Sequence, residues 1–326
     1  MSTSIAPDAI LKELAALWTQ EGKQGDAGVL RACSMTLIVM AEEADDPSSL
    51  GETVAALMPE HPARTVNIRL CGEGERALSE RVYAQCWMPF GQRRQICCEQ
   101  VEITVADKAL ADLPSVVLPL AVADLPVILW CRTPRLFGMP EFRQISSMAR
   151  KVILDSAGMP DARNALRRLA AASGRGVLIG DLAWTRLTRW REMLSQVFEN
   201  RQRLAQLPAV KRVRVNYGGD YETAARYLAA WIAGALEGAA QADVEIAPAE
   251  DVPTLRIELD GEGLRLALVR HDETLFVTIN DASNHTSLPH PTDYLLMREE
   301  LGIVRRDPVF ERALASASRL AYPTDK

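Results

Sequence analysis

The spacing of apolar positions changes along the chain and divides it. Near the N-terminus Ile10, Leu11, Leu14, Leu17 and Trp18 recur at helical intervals, and a Gly-rich polar stretch follows. Residues 1–26 therefore read as a docking helix on a tether, its stripe facing its own domain or a partner. Met35–Met40 is an unbroken apolar run, the pattern of a buried strand. Pro47 and Pro59 bracket a predicted helix from Ser48 to Met58. Thr65–Leu70 alternates, and Val82–Trp87 and Ile96–Val105 are further strands. Leu113–Leu120 and Val127–Cys131 are short, Pro-bounded strands or connectors. A helix over Met139–Ala149, a strand over Val152–Asp155, a helix over Asp161–Ala172 and a strand over Val177–Ile179 complete the alternation. This order predicts a Rossmann-like, mostly parallel α/β domain over residues 27–180.

A second pattern begins at Asp181, a predicted N-cap. Trp184, Leu187, Trp190, Leu194, Val197 and Phe198 share one helical arc, in a helix predicted to reach Leu204. Val210–Val215 is a strand and Tyr221–Leu236 a helix. Thr254–Leu259, Leu264–Arg270 and Thr274–Ile279 then alternate between turn signals at Asp260-Gly261 and His271-Asp272, an antiparallel meander. Helices over Asp293–Leu301 and Asp307–Leu320 close the chain. Residues 181–326 thus read as a smaller α+β domain.

The densest chemistry lies in Trp184–Arg191, which holds two tryptophans and three arginines in eight positions. Trp and Arg are the residue types most enriched where proteins grip partners. Arg191 falls inside the apolar arc, Arg186 at its edge and Arg189 beyond it. A guanidinium on an apolar face needs a carboxylate, a carbonyl, an anion or a partner. Trp184 and Trp190 read equally as interface anchors or as core.

Charge sharpens this picture. The chain of 326 residues carries −6 overall, but Arg132–Arg214 holds 17 basic and 6 acidic residues, a local +11 that leaves −17 elsewhere. A basic middle in an acidic chain suits an anionic protein surface or a small anionic effector. Its aromatics do not alternate with basic residues along strands, which argues against nucleic acid. No apolar run has membrane-span length and no signal peptide is apparent, so the expected location is the cytoplasm.

Catalytic signatures are sparse. Gly72-Glu73-Gly74-Glu75-Arg76-Ala77 fits Gly-x-Gly-x-x-Ala, but it follows the second strand and sets two glutamates where a pyrophosphate would lie; a hairpin turn is the simpler reading. No phosphate-binding Gly-x-x-x-x-Gly-Lys loop and no Gly-x-Ser-x-Gly elbow is present. Arg132 and Arg135, after a strand, are candidate ligands for a sugar phosphate or a partner carboxylate. The six cysteines lie within the first 131 residues and no metal spacing links them to the four histidines. The adjacent Cys97 and Cys98 are the redox candidates. No catalytic residue, metal ligand or cofactor is assigned.

Asp181-Leu182-Ala183-Trp184-Thr185-Arg186-Leu187-Thr188-Arg189-Trp190-Arg191 resembles the signature of the OpcA family, the glucose-6-phosphate dehydrogenase assembly proteins. So do Cys86–Gly91, Arg94–Gln100, Pro114–Leu120 and Asp124–Val127. The resemblance implies a non-catalytic partner that binds glucose-6-phosphate dehydrogenase, promotes its assembly and raises its activity. In cyanobacterial relatives it implies a tie to thiol redox control. Under it Trp184, Arg186, Arg189, Trp190 and Arg191, with Arg132 and Arg135, form the expected partner surface. The competing classes are a sugar-phosphate-processing enzyme with a Rossmann-like domain and a thiol-based redox sensor.

Overall fold

The computed structural model describes residues 6–21, 29–73, 78–88 and 95–320. They form two compact units, Met1–Leu154 with Val177–Gly180, and Asp155–Gly176 with Asp181–Lys326. The sequence reading places 155–176 with the first domain; here this segment groups with the second unit, which is consequently the larger of the two. The expected tether at 22–26 lies outside the described residues.

In the first unit, α1 (Pro7–Glu21) precedes β1 (Val29–Arg31), β2 (Met35–Glu42), α2 (Pro47–Leu57), β3 (Ala63–Leu70), β4 (Leu78–Trp87) and β5 (Gln95–Val105). Then come α3 (Leu113–Val117), β6 (Val127–Cys131), α4 (Pro140–Met148) and β7 (Lys151–Leu154). The chain continues through α5 (Ala162–Gly174), a member of the second unit, and returns as β8 (Leu178–Asp181). The eight strands make one sheet in the order β1-β5-β3-β2-β6-β7-β8, with β4 antiparallel on β5. The pairs β1–β5, β3–β5, β2–β3, β2–β6 and β6–β7 are all parallel. Leaving out β1 and β4, the third, second, first, fourth, fifth and sixth strands lie side by side, the doubly wound order.

The core of this unit follows the apolar runs. Leu37, Ile38, Val39 and Met40 of the central strand β2 are at most 3% exposed, as an unbroken run flanked on both sides requires. Leu113–Val117, expected as strand or connector, is helical, because Pro114 occupies the first turn, where its missing N–H costs nothing. The N-terminal helix packs on its own unit: Ile10 and Leu14 are buried and Trp18 Nε1 donates to Glu99 Oε1 at 2.6 Å. Buried Glu99 also accepts from Arg64 Nε at 2.5 Å and pairs with Arg31 Nη2 at 2.7 Å, so its charge is compensated inside the protein.

The second unit holds α5, then α6 (Leu182–Thr185), α7 (Thr188–Phe198), α8 (Arg201–Gln206), β9 (Val210–Tyr217), α9 (Glu222–Leu236) and β10 (Asp243–Pro248). After them come β11 (Leu255–Gly261), β12 (Leu264–His271), β13 (Thr274–Ile279), β14 (Ala282–Ser287), α10 (Asp293–Gly302) and α11 (Pro308–Ala317). The six strands form a mixed sheet, β10-β9-β11-β12-β13-β14, parallel at β10–β9 and antiparallel elsewhere. The meander is as expected, but its first turn sits at Glu262-Gly263, with Gly263 at φ +76°, and a fourth strand, β14, extends it. β14 is exposed along nearly all its length, so it lacks the apolar alternation that reveals a strand.

Candidate functional site

The segment expected to run as one helix from Asp181 is three short ones. α6 ends at Thr185, α7 begins at Thr188, and α8 follows Asn200, which caps it by accepting from the Gln202 and Arg203 amides. Asp181 opens α6 by accepting the Ala183 amide at 3.0 Å. The same carboxylate, 1% exposed, also accepts the Ser156 amide at 3.0 Å, Ser156 Oγ at 2.5 Å and the Tyr227 hydroxyl at 2.7 Å. Burial pushes its pKa up to about 6, against the lowering effect of the Ser156 and Tyr227 hydrogen bonds. Asp181 is therefore a junction of α6, the 156 turn and α9. Thr185 adds another tie by donating to buried Glu300 of α10 at 2.6 Å.

This junction fixes the tryptophans. Trp184 is 3% exposed and packs edge-on to Tyr227, with ring centroids 5.6 Å apart, and against Phe310 of α11 at 5.8 Å. Trp190 is also 3% exposed. Of the two readings open in the sequence, core packing is the one realised, and as surface anchors Trp184 and Trp190 are corrected. Their indoles are spent on the interior of the unit.

The three arginines separate. Arg186 forks onto Asp155, Nη1 to Oδ1 at 2.8 Å and Nη2 to Oδ2 at 2.5 Å. Arg191 lies over the Trp184 indole, 3.6 Å from the ring centroid, with Nη2 donating to Thr188 Oγ1 at 2.8 Å. Its burial lowers its pKa to about 10. The need for a partner on the apolar arc is thus met by an aromatic face. Arg189 is the exposed member, its side chain 74% accessible and 3.4 Å from Glu192.

At the first sheet the doubly wound order reverses between β2 and β6, the place where such sheets bind ligands beyond their strand ends. Arg132 and Arg135 are there, but each is engaged. Arg132 pairs with Asp45 at 3.1 Å and lies over Trp130. Arg135 pairs with Glu42 at 2.7 Å and Asp107 at 2.8 Å, and Thr133 Oγ1 donates to Glu42. The loop leaving β2 reads Glu42-Glu43-Ala44-Asp45-Asp46-Pro47, four carboxylates without a glycine. Asp46 caps α2 by accepting the Ser48 and Ser49 amides, the donors a phosphate would use. These residues do not suit a dinucleotide pyrophosphate. Three carboxylates, Asp45, Glu42 and Asp107, thus engage Arg132 and Arg135, while Arg135 Nη2 is a buried donor without a hydrogen-bond partner among the described residues. Gly74–Ala77 of the glycine motif lie outside the described residues, as do Pro89–Gly91 and Arg94 of the family-like stretches.

The cysteines also depart from expectation. Cys97 forms a disulfide with Cys86, its cross-strand neighbour in the β4–β5 register, rather than acting with Cys98. Neighbours on a strand face opposite sides, so Cys98 points elsewhere; it is a buried thiol whose pKa burial raises to about 11. Sequence alone could not signal the Cys86–Cys97 pairing, because it depends on the register of β4 against β5.

Two family models match this chain, both describing a glucose-6-phosphate dehydrogenase subunit. The model of its N-terminal domain matches residues 54–171, and the model of its C-terminal domain matches residues 178–314. The chain belongs to the OpcA family. Curated relatives named OxPP cycle protein OpcA agree. That of Synechocystis sp. is 25% identical over 194 residues, 58% of this chain and 40% of its own length. That of Nostoc punctiforme is 28% identical over 142 residues, 44% of this chain and 30% of its own length. The matched region thus spans well under half of these OpcA relatives. Among solved structures, a 3-ketoreductase from Actinomadura kijaniata with NADP aligns at 12% identity over 87% of this chain and 95% of its own, with TM-score 0.46. A biliverdin reductase from Synechocystis sp. aligns at 11% identity over 86% and 96%, with TM-score 0.44. At this distance they assign neither reaction nor ligand to an OpcA chain. No helix among the described residues is long and apolar enough to cross a membrane.

Proposed function

We propose that this chain is a non-catalytic partner of glucose-6-phosphate dehydrogenase that binds it and favours its active oligomer in the oxidative pentose phosphate pathway. The observation that carries the reading is the match of two family models named for domains of a subunit of that dehydrogenase. The β2–β6 strand ends support a non-enzymatic role, since carboxylates and an Asp cap take the positions a nicotinamide dinucleotide needs. Activation then follows from differential affinity: a partner that grips the active oligomer more tightly than the inactive form shifts the equilibrium between them.

Within this reading, Arg189 is the contact residue of the Trp/Arg segment, because its guanidinium is accessible. Trp184, Trp190, Arg186 and Arg191 position the helix that presents it. Co-elution of the purified chain with purified glucose-6-phosphate dehydrogenase on size exclusion, in a peak heavier than either alone, is the expected result. Separate elution at concentrations where the dehydrogenase is active would overturn the proposal.

A further inference from the structure

Helix α9 changes character along its length. It is buried without interruption from Thr223 to Ala230, but Trp231 is half-buried and Gly234 and Ala235 are exposed. Those small residues leave room beside the helix, and a cavity of about 270 Å³ opens there between α7 and α9, over Leu259 of β11. Leu194, Phe198, Leu207 and Trp231 line it with Leu259, and Glu199 is its charged lining residue. Half-buried Phe198 and Trp231 thus border an apolar hole, the surroundings in which binding anchors are seated.

The complement of this hole stands on its rim. Leu204 of α8 is 51% exposed. It lies one turn before Leu207, whose amide donates to the Leu204 carbonyl, and its own amide donates to the carbonyl of Asn200, next to Glu199. A protruding leucine therefore sits between two residues that line the cavity, without filling it.

Charge on the rim is balanced and sorted by sign. Glu199 ends α7, Glu237 follows α9 and Glu262 is in the β11–β12 turn; Arg201 and Arg203 are on α8 and Lys211 is at the start of β9. The Gly261–Val210 pairing brings Glu262 and Lys211 beside the 207–209 turn. None of these six side chains forms an ion pair among the described residues. Arg212, Arg214 and Asp260 belong to the opposite face of that sheet, where Arg214 pairs with Asp260, and Glu192 is beside Arg189.

We propose that this face joins two copies of the chain in a two-fold dimer, with Leu204 of each copy seated in the cavity of the other. A two-fold interface sets one patch against itself, so the patch must carry each feature together with its complement. A knob and a hole on one rim, with three charges of each sign, meet that condition; a patch of one dominant sign would repel its own copy. The basic α8 of one copy then faces the acidic ends of α7 and α9 of the other. The cavity has the room, since a void of about 150 Å³ already holds a benzene-sized group.

The test is sedimentation equilibrium of the full chain, without the dehydrogenase, from about 1 μM to about 1 mM, which brackets weak self-association. The average mass is expected to rise from one chain to two. Leu204→Glu should stay monomeric over this range and melt as the parent does, because an exposed position tolerates the change. Arg201→Glu with Arg203→Glu, and separately Glu199→Arg with Glu237→Arg, should each weaken dimerisation about tenfold or more. An equimolar mixture of these two double variants should regain it, since each offers the other opposite charges at both contacts. A monomer at every concentration would overturn the proposal, as would a dimer that Leu204→Glu leaves intact, or no gain on mixing. A monomeric parent whose binding to glucose-6-phosphate dehydrogenase is lost in Leu204→Glu would give this face to the dehydrogenase and overturn the proposal equally.

Discussion

The Arg191 guanidinium rests on the Trp184 indole, 3.6 Å from its centroid, and this stack joins α6 to α7. Because Trp184 also packs on Tyr227 and Phe310, one indole ties α6, α7, α9 and α11 together. Trp184→Ala is therefore expected to destabilise the protein by about 3–5 kcal/mol, the usual cost of emptying a large aromatic site. Arg191→Leu keeps most of the packing and should cost about 1 kcal/mol, the scale of a partly exposed cation–π contact. Urea denaturation of both variants measures this; a Trp184→Ala chain as stable as the parent would show that the indole is not structural.

Asp181 supports the same junction from its other side. Asp181→Ala leaves the Ser156 and Ala183 amides and two hydroxyls without their acceptor, and a loss of at least about 3 kcal/mol is expected. The raised pKa has a definite sign. The folded state holds the Asp181 proton more tightly than the unfolded chain, so this group's contribution is full below about pH 4 and is lost as pH rises through about 6. Measured against Asp181→Asn, which does not titrate, the parent should lose about 3 kcal/mol of relative stability across that window. A difference that does not change with pH would contradict the buried-carboxylate assignment.

Arg189 separates binding from folding. Its side chain is exposed and its contact with Glu192 is long, so Arg189→Glu should leave the melting temperature within a degree or so of the parent. The same change reverses charge on the proposed contact and should weaken activation of the dehydrogenase about tenfold or more, with a smaller loss at high salt. Titrations of dehydrogenase activity at two ionic strengths check both points.

The Cys86–Cys97 bond closes a loop with a sequence separation of 11 residues between β4 and β5. Reduction, or Cys86→Ser with Cys97→Ser, is expected to lower stability by about 2–3 kcal/mol. Alkylation followed by mass measurement should find the buried free thiols slow to react: Cys98 and Cys131 have pKa values pushed up to about 11 and about 12. Fast labelling of Cys98 would contradict its placement.

The apolar periodicity of Met35–Met40, Thr65–Leu70 and the meander made the central strands of the two sheets legible, because strand face and burial are written locally in those runs, whereas the edge strands β1, β10 and β14 carry no such pattern. Asp181 was legible as a cap for the same local reason. What lay beyond the sequence was nonlocal. The burial of Trp184 depends on Tyr227 and Phe310, the pairing of Arg135 on Glu42 and Asp107, and the disulfide on a strand register. Residue types that favour interfaces and residue types that fill cores overlap at Trp, and spacing alone does not separate the two uses. The break between α7 and α8 had a faint local signal in Asn200, a good cap residue in mid-pattern, whereas α7 begins after Leu187 without a side-chain cap.

The most direct measurement is a titration of purified glucose-6-phosphate dehydrogenase with this chain, in glucose 6-phosphate and nicotinamide cofactor. A saturable rise in dehydrogenase activity, with no turnover by the chain alone, is the predicted result. Unchanged dehydrogenase activity at saturating chain, or cofactor reduction by the chain without the dehydrogenase, would contradict it.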